Sequence, residues 1–113
     1  MVDKYIPKQG DIVYIDFSPI KGHEQAGYRP GIVISNNIFN ENTNMAIICP
    51  ITSNSKEFPT HYVLKDTKFV YGAVLCEHIR SIDYDKRNMR FVEKASDSDL
   101  LSVIMLSNAC IEE

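Results

Sequence analysis

Two short segments hold most of the residues able to do chemistry. The first, Gly22-His23-Glu24-Gln25-Ala26-Gly27-Tyr28-Arg29-Pro30, carries an imidazole, a carboxylate, an amide and a guanidinium between glycines and a proline. The second, Thr52-Ser53-Asn54-Ser55-Lys56, offers hydroxyls and an ammonium and no apolar residue. A guanidinium presents a planar fork of donors that suits phosphate oxygens. The hydroxyls and backbone N–H groups of a Thr-Ser turn add neutral donors. A nearby carboxylate or imidazole could take the proton of a ribose 2′-hydroxyl. Glu24, Arg29, Thr52, Ser53 and Lys56 are therefore parts for metal-free RNA cleavage, in which the substrate's own 2′-OH attacks the adjacent phosphorus. The plainer reading of the first segment is a long hairpin loop with solvated charges, and the second polar cluster weighs against it.

Other chemistries are poorly served. His23, His61, His78 and the cysteines lack C-x₂-C or H-x₃₋₅-H spacing, so no metal site is expected. No P-loop, G-x-S-x-G or G-x-G-x-x-G string occurs. Cys49 and Cys76 lie inside apolar runs, and with Cys110 they read as buried, reduced thiols rather than nucleophiles. Asp83-Tyr84-Asp85 and Asp97-Ser98-Asp99 are explained by a turn and a helix start. Tyr14, Phe17, Tyr28 and Phe58 stand near the polar segments and could stack on bases or join the core.

The elements that must position these residues are mostly short strands. Runs rich in β-branched and aromatic residues predict strands over about 11–17, 31–35, 45–51, 60–64, 72–79 and 89–92. Pro30 is expected to delay the second strand and Pro50 to force an edge or bulge at the end of the third. Asn36 caps a short helical turn in an asparagine-rich stretch. Ser96 opens a terminal helix, with Asp99 three residues later in a capping arrangement. Leu100, Val103, Ile104, Ser107 and Ile111 form its stripe, broadened by Leu101, Met105 and Leu106. So broad an apolar surface predicts burial on two sides, against the sheet and against a second subunit. The architecture implied is mainly β: a small antiparallel barrel or strongly bent sheet closed by one C-terminal helix.

At 113 residues the chain is expected to be one domain over residues 1–113. No apolar run approaches the ~20 residues that span a bilayer, and nothing near Met1 resembles a secretory signal, so a cytoplasmic protein is expected. The net charge is −3, yet residues 1–92 hold 11 Lys or Arg and 10 Asp or Glu, whereas residues 93–113 set Lys94 alone against five carboxylates. The acidity is terminal, which leaves room for basic patches in the main body.

Four segments resemble the MazF/PemK/Kid family of toxins from bacterial toxin–antitoxin pairs. They are Gly10-Asp11-Ile12-Val13, Gly22 to Pro30, Cys49-Pro50-Ile51-Thr52-Ser53 with Lys56, and Val74 to Ile82, in order over roughly residues 10–82. The resemblance implies an SH3-like small β-barrel of the CcdB/MazF type with a C-terminal helix, a homodimer, and a cofactor-free endoribonuclease that cuts single-stranded mRNA at specific sequences. It implies that Arg29 and Thr52 act on the scissile phosphate and that Glu24 assists. His23, Gln25, Ser53, Lys56, Glu77 and His78 would contact RNA. Glu24, His23 and Glu77 remain alternatives for the general base, and His78 stands where glutamine is common. A cognate antitoxin is implied, its flexible tail lying over the RNA surface beside Lys21, Arg29, Lys56 and Arg80. Two other readings are a CcdB-like inhibitor of DNA gyrase and an RNA-binding module without catalysis. The first rests in that branch on a C-terminal tryptophan, and this chain has none.

Overall fold

A computed structural model describes residues 4–17, 27–54 and 57–112. Along the chain lie β1 (Asp11–Asp16), β2 (Tyr28–Val33), α1 (Asn37–Thr43), β3 (Met45–Thr52), β4 (His61–Val63), β5 (Ala73–Leu75), β6 (Arg80–Asp83), β7 (Arg90–Lys94) and α2 (Asp97–Ala109). Every ladder is antiparallel, in the order β4-β5-β3-β2-β1-β7, with β6 also on β3.

β3 and β2 lie at the centre of the strand order with β1 beside them, and the β-branched runs of β1 and β3 are apolar on both faces. Ile12, Ile32, Cys49, Ile51 and Val74 bury one face together with Val103 of α2. Val13, Ile15, Val33, Ile48 and Ile82 bury the other with Phe17 and Tyr84. Each such side chain removed from water contributes about 1.5–3 kcal/mol.

The helices start where their caps predict. Asn36 accepts the Phe39 N–H at 2.8 Å and opens α1, which closes on Asn44 in the left-handed region. Ser96 accepts the Asp99 N–H at 3.0 Å and opens α2. The Asp99 carboxylate, fully buried, turns away from the cap. It accepts the Tyr62 hydroxyl at 2.7 Å and the Lys65 and Asp66 N–H groups. The capping arrangement is thus one-way, because the carboxylate has a more demanding task.

That task is closure. The hydrogen-bonded path leaves β4 and β7 at opposite ends, so the ladder bends but is not a closed barrel. Glu93 of β7 spans the seam by accepting the N–H groups of Lys68, Phe69 and Val70 at 2.8–2.9 Å. Ser96 adds a bond to Asp66 at 2.8 Å. Side chains thus fasten the β4–β5 hairpin where a ladder would be expected.

Several sequence expectations need correction. β2 begins at Tyr28, so Arg29 and Pro30 lie inside a strand rather than before it. Over residues 28–30 β2 pairs with β1 alone, and such an edge tolerates a proline. Pro50 does not end β3. It sits where β3 passes from β6, paired through Ile48, to β5, paired from Ile51. β5 stops at Leu75 because the His78 N–H turns back to the Leu75 carbonyl at 3.0 Å. The stretch after it forms an unforeseen strand, β6, in which only Ile82 is buried among polar neighbours. Cys49 and Cys76 are buried and Cys110 is exposed, contrary to three buried thiols. Desolvation pushes Cys49 up to about 11 and Cys76 up to about 12, far from thiolate chemistry.

α2 is apolar over much of its circumference, as its sequence suggests. Val103 and Ser107 face the sheet, whereas Leu101 and Met105 stand 60% and 63% exposed on one stripe. Among the described residues no helix is long and apolar enough to cross a membrane.

Candidate active site

The centre of the site is the place where β2 and β3 part. Their ladder pairs Val33 with Ile48, Ile32 with Cys49 and Gly31 with Pro50, and goes no further. Pro30 lacks the N–H that would extend it towards Ile51. Past this point β2 stays with β1 and β3 turns to β5. Arg29 and Thr52 each lie two residues beyond the Gly31–Pro50 pair. The two strands therefore present them at equivalent positions and on the same face, on opposite sides of the opening. Arg29 is exposed, opposite Ile15 of β1.

Thr52 is held on three sides. Its backbone pairs with Ala73 of β5, and its hydroxyl oxygen accepts the Asn54 N–H at 3.2 Å. Gly72 packs against its carbonyl: a Cβ built on Gly72 would stand 2.2 Å from the Thr52 oxygen. The glycine also has φ +136°, a conformation that side chains rarely adopt. The threonine is 9% exposed and sits at the strand end, while Ser53 beside it is exposed.

A second cluster lies on the β4–β5 hairpin and the turn after it. Nε2 of His61 is 3.0 Å from the Glu77 carboxylate, and Nε2 of His78 is 4.0 Å from it. Partial burial alone would raise the Glu77 carboxyl. Hydrogen bonds from its own backbone N–H and from His61 outweigh that and hold it below its ordinary value, so it is a carboxylate at neutral pH. The Phe58 ring leans on the His61 ring, centroids 5.2 Å apart at 42°. Thr52, Ser53, Phe58, His61 and Gly72 line a cavity of about 780 Å³. A second, of about 480 Å³, is lined by Phe17, Pro50, Glu77, His78 and Arg80. On the β1–β2 side, Tyr14 and Tyr28 stack at 5.6 Å and the Arg90 guanidinium lies 5.9 Å from the Tyr28 ring.

Of the residues predicted to act, Arg29 on β2 and Thr52 and Ser53 at the end of β3 flank the parted strands, and Glu77 and His78 line the second cavity. Glu24, His23, Gln25, Lys56 and Lys21 lie outside the described residues. Phe17 is core and cannot stack on a base, whereas Tyr28 and Phe58 are open. The sequence reading missed Gly72 and the His61–Glu77 pair. The hairpin itself carried a signal for the latter. Strands over 60–64 and 72–79 must pair, which sets His61 opposite Leu75, and the turn after β5 brings Glu77 beside it. Among the described residues no cluster of three or more His, Cys, Asp or Glu could hold a metal ion.

Fold and cleft together define a small antiparallel-sheet protein, capped by a C-terminal helix, with an arginine–threonine pair where two strands separate. The chain belongs to the PemK-like, MazF-like toxin family of type II toxin–antitoxin systems, whose pattern matches residues 8–105. It is 39% identical over 87 residues to the endoribonuclease toxin MazF of Escherichia coli K12, covering 77% of this chain and 78% of that one. The crystal structure of MazF from Deinococcus radiodurans superposes with a TM-score of 0.88 at 34% identity, over 94% of this chain and 96% of that one. MazF in the MazE-MazF complex of the same organism superposes at 0.80 with 29% identity, over 94% and 95% of the two chains.

Proposed function

We propose that this toxin is a metal-independent endoribonuclease that cuts single-stranded RNA at specific sequences. The 2′-oxygen attacks the neighbouring phosphorus, the bond from phosphorus to the 5′-oxygen breaks, and the products are a 2′,3′-cyclic phosphate and a 5′-hydroxyl. One proton leaves the 2′-OH and one reaches the departing 5′-oxygen. Arg29 neutralises charge on the non-bridging oxygens through its fork of donors, and the Thr52 hydroxyl adds a neutral donor across the opening. Glu24 and His23 stand as candidates for taking the 2′-proton. Glu77, engaged with His61, is better suited to holding that ring. The observation that carries the reading is the placement of Arg29 opposite Thr52 at the end of a ladder, in a chain so similar to an endoribonuclease toxin.

The test uses a long RNA in EDTA with end-group analysis of the fragments. Wild type should cleave, leaving 5′-hydroxyl ends. Arg29→Ala should lose ~10²–10³ in rate, as for other lost transition-state donors, and Arg29→Lys should recover only part, lacking the fork. Abolition by EDTA, or 5′-phosphate ends, would refute the mechanism.

The toxin works in the cytoplasm as a homodimer, for which the exposed Leu101 and Met105 stripe of α2 is the apolar face available. A cognate antitoxin covers the RNA surface with an acidic segment. The MazE-MazF complex of the similar chain supports a partner of this kind.

A further inference from the structure

The three cysteines take no part in the site described above, yet the fold gathers them at one end of α2. Cys49 of β3 and Cys76 after β5 are fully buried members of the same core cluster. Ser107 reaches onto them from the helix, its hydroxyl 3.5 Å from the Cys49 sulfur. Serine is mostly a surface residue, and a thiol is a weak partner for one so deeply buried. Cys110 stands three residues further along α2, on the stripe of Val103 and Ser107, so its Cβ lies about 5–6 Å from that of Ser107. It is exposed, in a last turn whose residues 108–112 are all exposed, and its sulfur bonds back to the Leu106 carbonyl at 3.3 Å. Both buried thiols feel the Cys110 sulfur electrostatically. The Cys76 sulfur turns to the Val74 carbonyl of its own segment, at 3.7 Å, which leaves Cys49 as the thiol under the helix.

We propose that Cys110 is an oxidant-responsive thiol that closes a disulfide onto Cys49 and staples the end of α2 to β3. The oxidant is a peroxide. In the first step a bond forms from the Cys110 sulfur to one peroxide oxygen, the O–O bond breaks, and the other oxygen leaves as water with the thiol proton. In the second the Cys49 sulfur bonds to the Cys110 sulfur, the S–O bond breaks, and the hydroxyl leaves as water with the Cys49 proton. Two thiols are oxidised and one hydrogen peroxide is reduced to two waters. Burial pushes Cys49 up to about 11, so it is inert to peroxide until an electrophilic sulfur stands beside it. Disulfides of cytosolic proteins are characteristically transient and redox-sensing. Cys49 leads through Pro50 and Ile51 to Thr52, so the bond also anchors the strand that carries the threonine.

The experiment treats the reduced toxin with hydrogen peroxide, blocks remaining thiols with N-ethylmaleimide and maps tryptic peptides by mass. The three cysteines fall in three different peptides, 22–56, 69–80 and 95–113, so the pairing is read directly. Wild type should yield the 22–56 and 95–113 peptides joined within one chain, and dithiothreitol should separate them. Oxidation should raise the urea midpoint by about 1–2 M. Cys110→Ser, a change at an exposed position, should fold like wild type and show neither the cross-link nor the rise. A bond from Cys110 to Cys76, a bond between two chains, or Cys110 oxidised with no bond at all overturns the proposal. So does a cross-link that leaves the midpoint unmoved. No RNA is needed, so the outcome is independent of the ribonuclease reading.

Discussion

Gly72→Ala and Gly27→Ala form a matched pair that tests how tightly Thr52 is held. Both glycines have positive φ, +136° and +82°, so alanine at either costs about 1–3 kcal/mol in backbone strain. They differ in surroundings. A Cβ at Gly27 has no atom within 4 Å, whereas at Gly72 it meets the Thr52 oxygen at 2.2 Å, its carbonyl carbon at 2.9 Å and the Ser53 Cα at 3.2 Å. Backbone cannot rotate out of the way as a side chain can, so β5 and the end of β3 must separate. Overpacking of that kind costs a further ~1–3 kcal/mol. The bond from the Leu64 N–H to the Gly72 carbonyl, 2.9 Å long, is at risk in the same movement, which adds about 0.5–1.5 kcal/mol. The excess of Gly72→Ala over Gly27→Ala is therefore about 1.5–4.5 kcal/mol, large against a typical domain stability of about 5–15 kcal/mol. With a urea slope of about 1–3 kcal/mol per molar, the two midpoints should differ by about 0.5 M or more. Activity should separate further, because a shift of about 1 Å in a catalytic group can cost ~10²-fold. RNA cleavage is to be measured where circular dichroism finds both variants folded. Equal midpoints, or full activity of Gly72→Ala, would refute the packing argument and leave the glycine as a turn residue only.

Three further outcomes can be checked. Thr52→Ala should slow cleavage less than Arg29→Ala and Thr52→Ser should retain most of the rate, since the donor survives; an unchanged rate for Thr52→Ala removes this hydroxyl from the reaction. Glu93 is held below its ordinary 4.5, partial burial being outweighed by three backbone N–H bonds. Its contribution is therefore present above the unfolded pKa and lost as pH falls through the lower folded value. Urea midpoints of Glu93→Gln should lie below wild type at neutral pH and converge with it in acid, and parallel pH curves would mean that the seam is held by something else. Leu101→Glu should yield monomers in sedimentation while leaving the melting temperature of the folded chain nearly unchanged, and a persistent dimer moves the interface off this stripe.

The strands and helix starts were legible because their signals are local. Ile12, Val13 and Ile15 announce a buried strand, and Asn36 and Ser96 announce caps that the structure keeps to within hydrogen-bond distance. What was not legible depended on partners far along the chain. Pro30 looked like a stop signal because its tolerance depends on which side of β2 lacks a neighbour. β6 stayed hidden because Ile82 alone faces inward amid Arg80, Ser81 and Asp83. Asp99 looked like half of a capping box because the backbone N–H groups it serves come from residues 65 and 66. The site divided in the same way. Arg29 and Thr52 stood out by type, whereas their opposition across the opening required the β2–β3 register, and the pairing of His61 with Glu77 required the hairpin.

The seam has a consequence for how such toxins can diversify. The hairpin bearing Phe58, His61 and Gly72 joins the sheet through two ladder pairs, Ile51 with Val74 and Thr52 with Ala73, and is otherwise tied down by the carboxylates of Glu93 and Asp99. Those carboxylates receive main-chain N–H groups, which every residue except proline supplies. Most of the fastening therefore reads backbone shape, with the Tyr62 hydroxyl on Asp99 and the Asp66 side chain on Ser96 as the exceptions. The exposed residues of 57–71, unlike the buried Leu64 and Val70 and the bonded Tyr62 and Asp66, can change in sequence without disturbing the register of β2 and β3. On the function proposed above, the hairpin would behave as an exchangeable cassette, while Arg29 and Thr52 stay with the frame. Grafting this hairpin between two such toxins should carry sequence preference across with it while the chemistry of the cut remains that of the recipient.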